Sequence, residues 1–281
     1  MSSVNLIVTA DDFGRSAEIN RAVILAHREG ILTSASLMIA GEAADEAVSL
    51  ARENPTLAVG LHVVAVDGRS ILPHDQIPHL VDLQNHFPNA PVRLGLKYAF
   101  SPAAHQEIAR EIQAQFHRFA ATGLPLSHVD GHQHMHVHPT LFKIILPLAK
   151  EQGAHGIRLP RDPDCWPSHP AWSIAFNLLS RRSARQMRDL QLLTPQRAFG
   201  LARTGQMTQA YVANLLNHLD AEPAEIYFHP TTGSRLNADG PNPGDLQTLL
   251  SPKIKQLIQS RNIRLSTYAA LNPRRRETCP C

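Results

Sequence analysis

Five histidines fall within the eleven residues from His128 to His138, in the run Ser127-His-Val-Asp-Gly-His-Gln-His-Met-His-Val-His138. The chain carries 16 histidines in 281 residues, about twice the number expected at this length. Asp130, His132, His134, His136 and His138 share one parity, so an extended segment would aim them at a single face. Imidazole is a leading ligand of zinc and other transition metals, which makes such a face a candidate metal site. The plainer alternative is that one or two of these rings bind anything, while the rest support the ligands or cap a helix beginning near Pro139. A second signal is the acid pair in Thr9-Ala-Asp-Asp-Phe-Gly14. Adjacent carboxylates repel unless a cation holds one of them, so Asp11 and Asp12 can take different tasks, one as metal ligand and one as proton acceptor. The competing use is a helix cap after Gly14.

Three further positions join these two. His62, in Val59-Gly-Leu-His-Val63, interrupts an apolar run, where a lone histidine is more often a core residue than a ligand. His229 ends the apolar run Ile226-Tyr-Phe-His-Pro230, and the proline cannot continue a strand ladder, which suits an acid or base at the mouth of a site. Arg158 and Arg161, in Gly156-Ile-Arg-Leu-Pro-Arg161, could orient a carboxylate or bind an anionic group, or form a surface ion pair.

The elements that must position these residues alternate between strand and helix. Apolar runs predict strands at Val4–Ala10, Ser34–Ala40 and Ala58–Val64, and the resumed alternation places further strands at His128–His132, Gly156–Leu159, Glu225–His229 and Ile263–Thr267. Helical spacing predicts helices at Ser16–Glu29, Glu42–Glu53, Ala103–Ala121, Thr140–Glu151, Ala171–Met187, Met207–Leu219 and Asp245–Arg261. The segment from Ala65 to Pro102 has five prolines and no sustained periodicity, and reads as an active-site insertion. Asp162–Pro170 reads as a proline-rich loop, and Gln191–Gly205, ambiguous between loop and strand, is a second candidate lid. Strand–helix alternation means a parallel sheet, closed or open. The candidate residues end several different strands, as in a barrel, and no glycine-rich phosphate loop marks the switch point of an open sheet. The expectation is therefore an α/β fold: a distorted (β/α) barrel of seven parallel strands, one domain over residues 1–281, with the insertion at about 65–102 and a flexible tail at about 273–281.

Composition narrows the function classes. Hydrophobic residues make up 43% and charged residues 18%, ordinary for a globular protein and unlike a disordered one. A formal net charge of +3, scattered along the chain, gives no nucleic-acid footprint. The uncharged stretch Ile31–Gly41 is too short to span a bilayer, and Asp11 and Asp12 interrupt any secretory signal, so a cytoplasmic location is expected. Cys165, Cys279 and Cys281 do not make a disulfide scaffold, and Thr278-Cys-Pro-Cys281 is not a prenylation box. Arg274–Arg276 reads as a solvated basic tail rather than a lipid contact.

In order along the whole chain, Thr9-Ala-Asp-Asp-Phe-Gly14, Gly60-Leu-His62, His128-Val-Asp-Gly-His-Gln-His-Met-His136, Arg158-Leu-Pro160 and Phe228-His-Pro230 resemble the motifs of the YdjC-like carbohydrate deacetylases, which include chitooligosaccharide deacetylases. Within that family the run from Asp11 to Gly41 and the segment Val66-Asp-Gly-Arg-Ser-Ile-Leu-Pro73 look closest to the hopanoid-biosynthesis-associated branch, HpnK. The resemblance implies a distorted barrel and one divalent metal ion, zinc or magnesium foremost, bound by Asp12, His62 and His132. It makes Asp11 the general base and His229 the general acid, and leaves His134, His136 and Arg158 to support the ligands or contact substrate. The implied reaction is hydrolysis of an N-acetyl group on an amino sugar. In the hopanoid branch the substrate is an N-acetylglucosaminyl hopanoid, and a glycolipid of that kind implies peripheral contact with the inner membrane through the insertion. A non-haem iron oxygenase shares the two-histidine, one-carboxylate ligand set and would need ferrous iron, oxygen and a reductant. A phosphoesterase or amidohydrolase would carry its His-x-His pair on the first strand rather than mid-chain. A non-catalytic sugar- or lipid-binding protein would not be expected to keep all five site residues. The oligomeric state is left open.

Overall fold

The structure, a computed structural model, describes residues 4–162, 170–220, 223–234 and 240–271. Its first strand, β1 (Val4–Phe13), is buried from Leu6 onward without alternation, which marks a strand covered on both faces. Ser16 then caps α1 (Ala17–Glu29), its hydroxyl accepting the Ile19 N–H. β2 (Ser34–Leu37), α2 (Ala44–Glu53) and β3 (Ala58–Val63) follow in the expected order. After the insertion come α4 (Pro102–Ala121), β6 (His128–Gly131), α5 (Pro139–Glu151), β7 (Gly156–Ile157), α6 (Pro170–Asp189), β8 (Arg197–Phe199), α7 (Gln209–His218) and β9 (Ala224–Phe228). The described chain closes with α8 (Pro243–Leu250), α9 (Pro252–Ser260) and β10 (Ile263–Ser266).

The strands run in the order β7-β6-β3-β2-β1-β9-β8, all parallel, and β10 adds to the N-terminal half of β1, pairing Val4–Ile7 with Ile263–Ser266. The sheet curls until its ends meet: Gly156 in β7 bridges Leu193, just ahead of β8. The distorted barrel expected from the sequence is thus observed: the strand expected at Ile263–Thr267 is β10, beside the seven-strand path, and β8 completes that path from a segment the sequence leaves ambiguous. Helices cover its outside, and Phe116, Phe119 and Phe142 are fully buried against it. No described helix is long and apolar enough to cross a membrane.

Three expectations differ from what is found. The single helix expected over Asp245–Arg261 is two, because Pro252 lacks the N–H a continuous helix needs and Ser251 caps a new start. Gln191–Gly205 contains β8, an element of the sheet and not only a lid. The insertion is not featureless: β4 (Gly68–Arg69) pairs antiparallel with β5 (His86–Phe87), and α3 (Pro91–Phe100) follows, with Pro91 at the first turn where proline is tolerated. Cys165, Cys279, Cys281, the tail at 273–281 and most of the Asp162–Pro170 loop lie outside the described residues.

Candidate active site

Successive residues of a regular strand face opposite ways, so Asp11 and Asp12 could not both serve one site without an irregularity. The register of β1 against β2 shifts between Ala10 and Phe13, and Asp12 adopts φ 63° in the left-handed region. That conformation costs on the order of 1–3 kcal/mol in a non-glycine residue and is held from outside: the Gly14 N–H donates to Asn20 Oδ1 at 2.8 Å. Asp12 Oδ1 lies 3.1 Å from His132 Nδ1 and 3.5 Å from His62 Nε2, while its Oδ2 accepts from Arg15 at 2.9 Å.

His62 in β3 stands in register with Asp130 in β6. Its Nδ1 donates to Asp130 Oδ1 at 2.7 Å, a bond that only the Nδ1–H tautomer can make to a carboxylate and that leaves Nε2 facing Asp12. Asp130 also accepts from Ser36 Oγ at 2.7 Å and from Arg158 at 2.8 Å. The Asp130 partnership is not visible in a parity count.

The same count fails past His132. Strand β6 ends at Gly131, and His132–Val137 forms a tight 3-10 turn in which Gln133 and His134 have φ 49° and 56°. The rings therefore scatter instead of sharing a face. His132 joins Asp12 and His62; His134 Nε2 meets the Tyr227 hydroxyl at 3.0 Å; His136 Nε2 donates to the Arg158 carbonyl at 2.9 Å. His138 caps α5, accepting the Thr140 N–H, and His128 stacks on Tyr268 with ring centres 4.6 Å apart.

Arg158, read from the sequence as an anion binder at a strand exit or a surface ion pair, is fully buried. Its guanidinium contacts three carboxylates, Asp11 at 2.7 Å, Asp130 at 2.8 Å and Glu225 at 2.9 Å, and lies over the Tyr227 ring. This places it behind the site, where it neutralises the acids. Arg161 donates to the Ser180 carbonyl. His229, following β9, is fixed through its backbone: its N–H donates to Asp245 Oδ2 at 2.9 Å and its carbonyl accepts from Asn242. Its ring Nε2 comes to 3.9 Å from Asp11 Oδ2.

The electrostatics follow from burial against pairing. Burial raises the Asp12 carboxyl pKa, but His132, Arg15 and His229 outweigh it and hold the group well below the usual range. Burial lowers His132, yet Asp12 and Asp67 raise it to about 9. His136, buried and facing a carbonyl, falls to about 4, mainly through desolvation. Three carboxylates outweigh desolvation at Arg158 and keep it charged.

Asp12, His62 and His132 each offer a ligand atom within 4.8 Å of the others, a set of one carboxylate and two imidazoles. Buried Asp11 Oδ1, Asp12 Oδ1 and His132 Nε2 accept or donate no hydrogen bond within the protein, although buried polar atoms are almost always paired. That concentration fits a bound cation, and the donor set leaves coordination positions open, as catalytic sites require. An overlapping set, Asp11, His62 and Asp130, fits less well, because Asp130 and one oxygen of Asp11 are committed to Arg158.

Sequence reasoning did not assign Glu225, Tyr227 or Asp67 to the site. Glu225 was detectable as an acid inside the fully buried run Ala224–Phe228. Asp67, with Oδ2 at 3.8 Å from His132 Nε2, comes from the insertion and had no local signal.

The fold and this arrangement define a (β/α)-barrel protein with a buried carboxylate–imidazole centre at the carboxyl ends of its strands. The chain belongs to the YdjC-like family, whose description "YdjC-like protein" matches residues 5–260. It is 34% identical over 276 residues to a carbohydrate deacetylase of Brevibacillus brevis, covering 95% of this chain and 100% of that one. It is 30% identical over 277 residues to a chitooligosaccharide deacetylase of Serratia marcescens, covering 95% and 98%. A solved structure from Enterococcus faecalis shares the fold, with a TM-score of 0.76 at 24% identity over 96% of this chain and 99% of that one.

Proposed function

We propose that the protein is a metal-dependent carbohydrate deacetylase that hydrolyses the N-acetyl group of an N-acetylglucosamine-type sugar. The observation that carries this reading is the placement of Asp11 and His229, 3.9 Å apart, beside the Asp12–His62–His132 ligand set. A divalent ion held there would supply Lewis acidity for the acetyl carbonyl and for the attacking water. Asp11 is the group that takes the water's proton: Arg158 holds its Oδ2, leaving Oδ1 to receive it. His229 gives a proton to the departing amine, which leaves poorly as an anion, and imidazole can donate and recover a proton near neutral pH. Asp130 sets the His62 ring and Arg158 sets both Asp11 and Asp130, so the three act as one positioning unit.

For the substrate, the resemblance of the Asp11–Gly41 run and of Val66–Pro73 to the hopanoid-associated branch supports an N-acetylglucosaminyl hopanoid. Relatives named chitooligosaccharide deacetylases support a soluble chitooligosaccharide equally well. The test is acetate release from both substrates by metal-reconstituted protein and by Asp11→Asn and His132→Ala variants. Release from either substrate that falls by about 10²-fold or more in Asp11→Asn supports the deacetylase, and the preferred substrate decides the branch. Absence of acetate from both by metal-loaded protein, with turnover appearing on ferrous iron, oxygen and a reductant, replaces it with the oxygenase chemistry of the same ligand set.

A further inference from the structure

Six large hydrophobic side chains are exposed among the described residues, and four of them fall within one short stretch: Leu83 (77% exposed), Val92 (59%), Leu96 (57%) and Phe100 (80%). Val92, Leu96 and Phe100 are spaced i, i+4, i+8 on α3, so they form one column along its outer face. Leu94 and Tyr98 form the inner column and are buried. Arg93 and Lys97, also four apart, make a cationic column next to the apolar one. From Leu83 to Gln106 the chain contains no acidic residue, while His86 and His105 add two more basic positions. Beside α3 lies a concavity of about 440 Å³ lined by His86, by Arg93, by Lys97, whose Nζ donates to the His79 carbonyl, and by His79, whose ring is paired with Glu107. Its one acid, Asp82, accepts the backbone N–H groups of Gln84 and His86, and the same concavity places the Leu83 turn next to α3.

We infer that the outer face of α3, with the Leu83 turn, docks on the surface of an anionic phospholipid bilayer. A helix with an apolar column for the acyl boundary and flanking Arg and Lys for the headgroups has the character of an interfacial element rather than a spanning one. Charge complementarity selects this occupant over a second copy of the chain. A twofold contact through α3 would set Arg93 and Lys97 against their own equivalents with no acid in the segment to offset them. The basic concavity next to the column suits a lipid phosphate. The inference deepens the glycolipid reading of the substrate, but it rests on the surface alone and its test needs no turnover.

Sedimentation of the full-length protein with vesicles of phosphatidylcholine, with and without phosphatidylglycerol, measures the docking directly. Binding is expected to the phosphatidylglycerol vesicles and to weaken as salt is raised. Each cation near an anionic surface contributes about fivefold, so Arg93→Glu with Lys97→Glu should weaken binding by more than about 25-fold. Leu96→Ser with Phe100→Ser should weaken it as well, and because both of these side chains are exposed, the thermal unfolding midpoint of that variant should stay near wild type. No binding to phosphatidylglycerol vesicles, or binding that survives both double variants, overturns the inference. So does a wild-type dimer in sedimentation velocity that Leu96→Ser with Phe100→Ser converts to monomer, which would make α3 a self-association face. Loss of the deacetylase reading would show as absent acetate with vesicle binding intact, and failure of this inference as the reverse.

Discussion

Arg158 is a buried cation whose value lies in what it keeps apart and charged: Asp11, Asp130 and Glu225 would repel one another without it. Removing one partner of a buried ionic group leaves the rest uncompensated, so Arg158→Met should destabilise the protein by about 3–5 kcal/mol, measured by urea unfolding. Restoration of most of that loss by adding Asp11→Asn and Glu225→Gln would confirm charge as the cause, and no restoration would point to packing. His136 provides a pH-dependent counterpart. Its ring is buried with a pKa lowered from 6.5 to about 4, so between those values the unfolded chain binds a proton that the folded one refuses. Its stabilising contribution is complete above about 6.5 and is lost as pH falls towards 4, by about 2 kcal/mol between roughly pH 7 and pH 5. His136→Gln, whose amide can still donate to the Arg158 carbonyl, should flatten that slope in urea titrations of metal-free protein; an unchanged slope would assign the loss to other groups.

At the scale of elements, the insertion is ordered by a polar column on α4 rather than by its own periodicity. Gln115 grips both backbone groups of Val64, at 2.9 and 2.7 Å, and Glu111 accepts the N–H groups of Ile71 and Leu72, each at 2.9 Å. Glu107 accepts the His79 N–H at 3.0 Å. These residues lie at i, i+4 and i+8, and they hold the loop that brings Asp67 towards His132. Glu111→Gln keeps one acceptor oxygen and leaves at least one of these half-buried N–H groups without its partner. It should cost about 1–3 kcal/mol and speed proteolytic cleavage between residues 65 and 90, and a cleavage rate equal to wild type would mean that the loop is held elsewhere. This column explains what could and could not be read from the sequence. β1, β3 and β9 were legible because buried parallel strands are largely apolar runs, β6 only from its place in the strand–helix alternation, and Asp11, Asp12, His62, His132 and His229 stood out at their ends. The order within the insertion was not legible, because its determinants sit on α4, in residues that at helical spacing look like an ordinary polar face. The scattering of the other histidines was hidden for a related reason. Left-handed backbone at Gln133 and His134 has no signature in residues that usually avoid it.

For the whole molecule, the decisive feature is how the curled sheet closes. The seam between its end strands is made by the Gly156–Leu193 bridge, in which the Ile157 N–H donates to the Leu193 carbonyl at 3.0 Å and the Leu193 N–H donates to His155 at 3.1 Å. Only a glycine fits there, since a Cβ at position 156 would collide with the Leu193 carbonyl and press on the Tyr268 ring. Two residues further on is Arg158, whose N–H donates to the Val129 carbonyl, and Tyr268 in turn donates to Glu225 at 2.7 Å. The seam and the charge cluster are therefore mechanically continuous: closing the barrel aims the guanidinium that organises Asp11, Asp130 and Glu225. Gly156→Ala should accordingly destabilise the protein by at least about 2 kcal/mol in thermal or urea unfolding, since backbone cannot yield as a flexible side chain can. Unfolding should remain a single transition, because one large apolar core joins the helices to the sheet and the second cluster, Ile7, Tyr268 and Leu271, is too small to stand alone. The variant should also lose acetate release beyond what its unfolded fraction explains, because a shifted Arg158 no longer holds Asp11 Oδ2. Full activity in the folded fraction, measured well below the midpoint, would show that Arg158 is set by its carboxylates alone and that the seam serves only to hold the barrel shut.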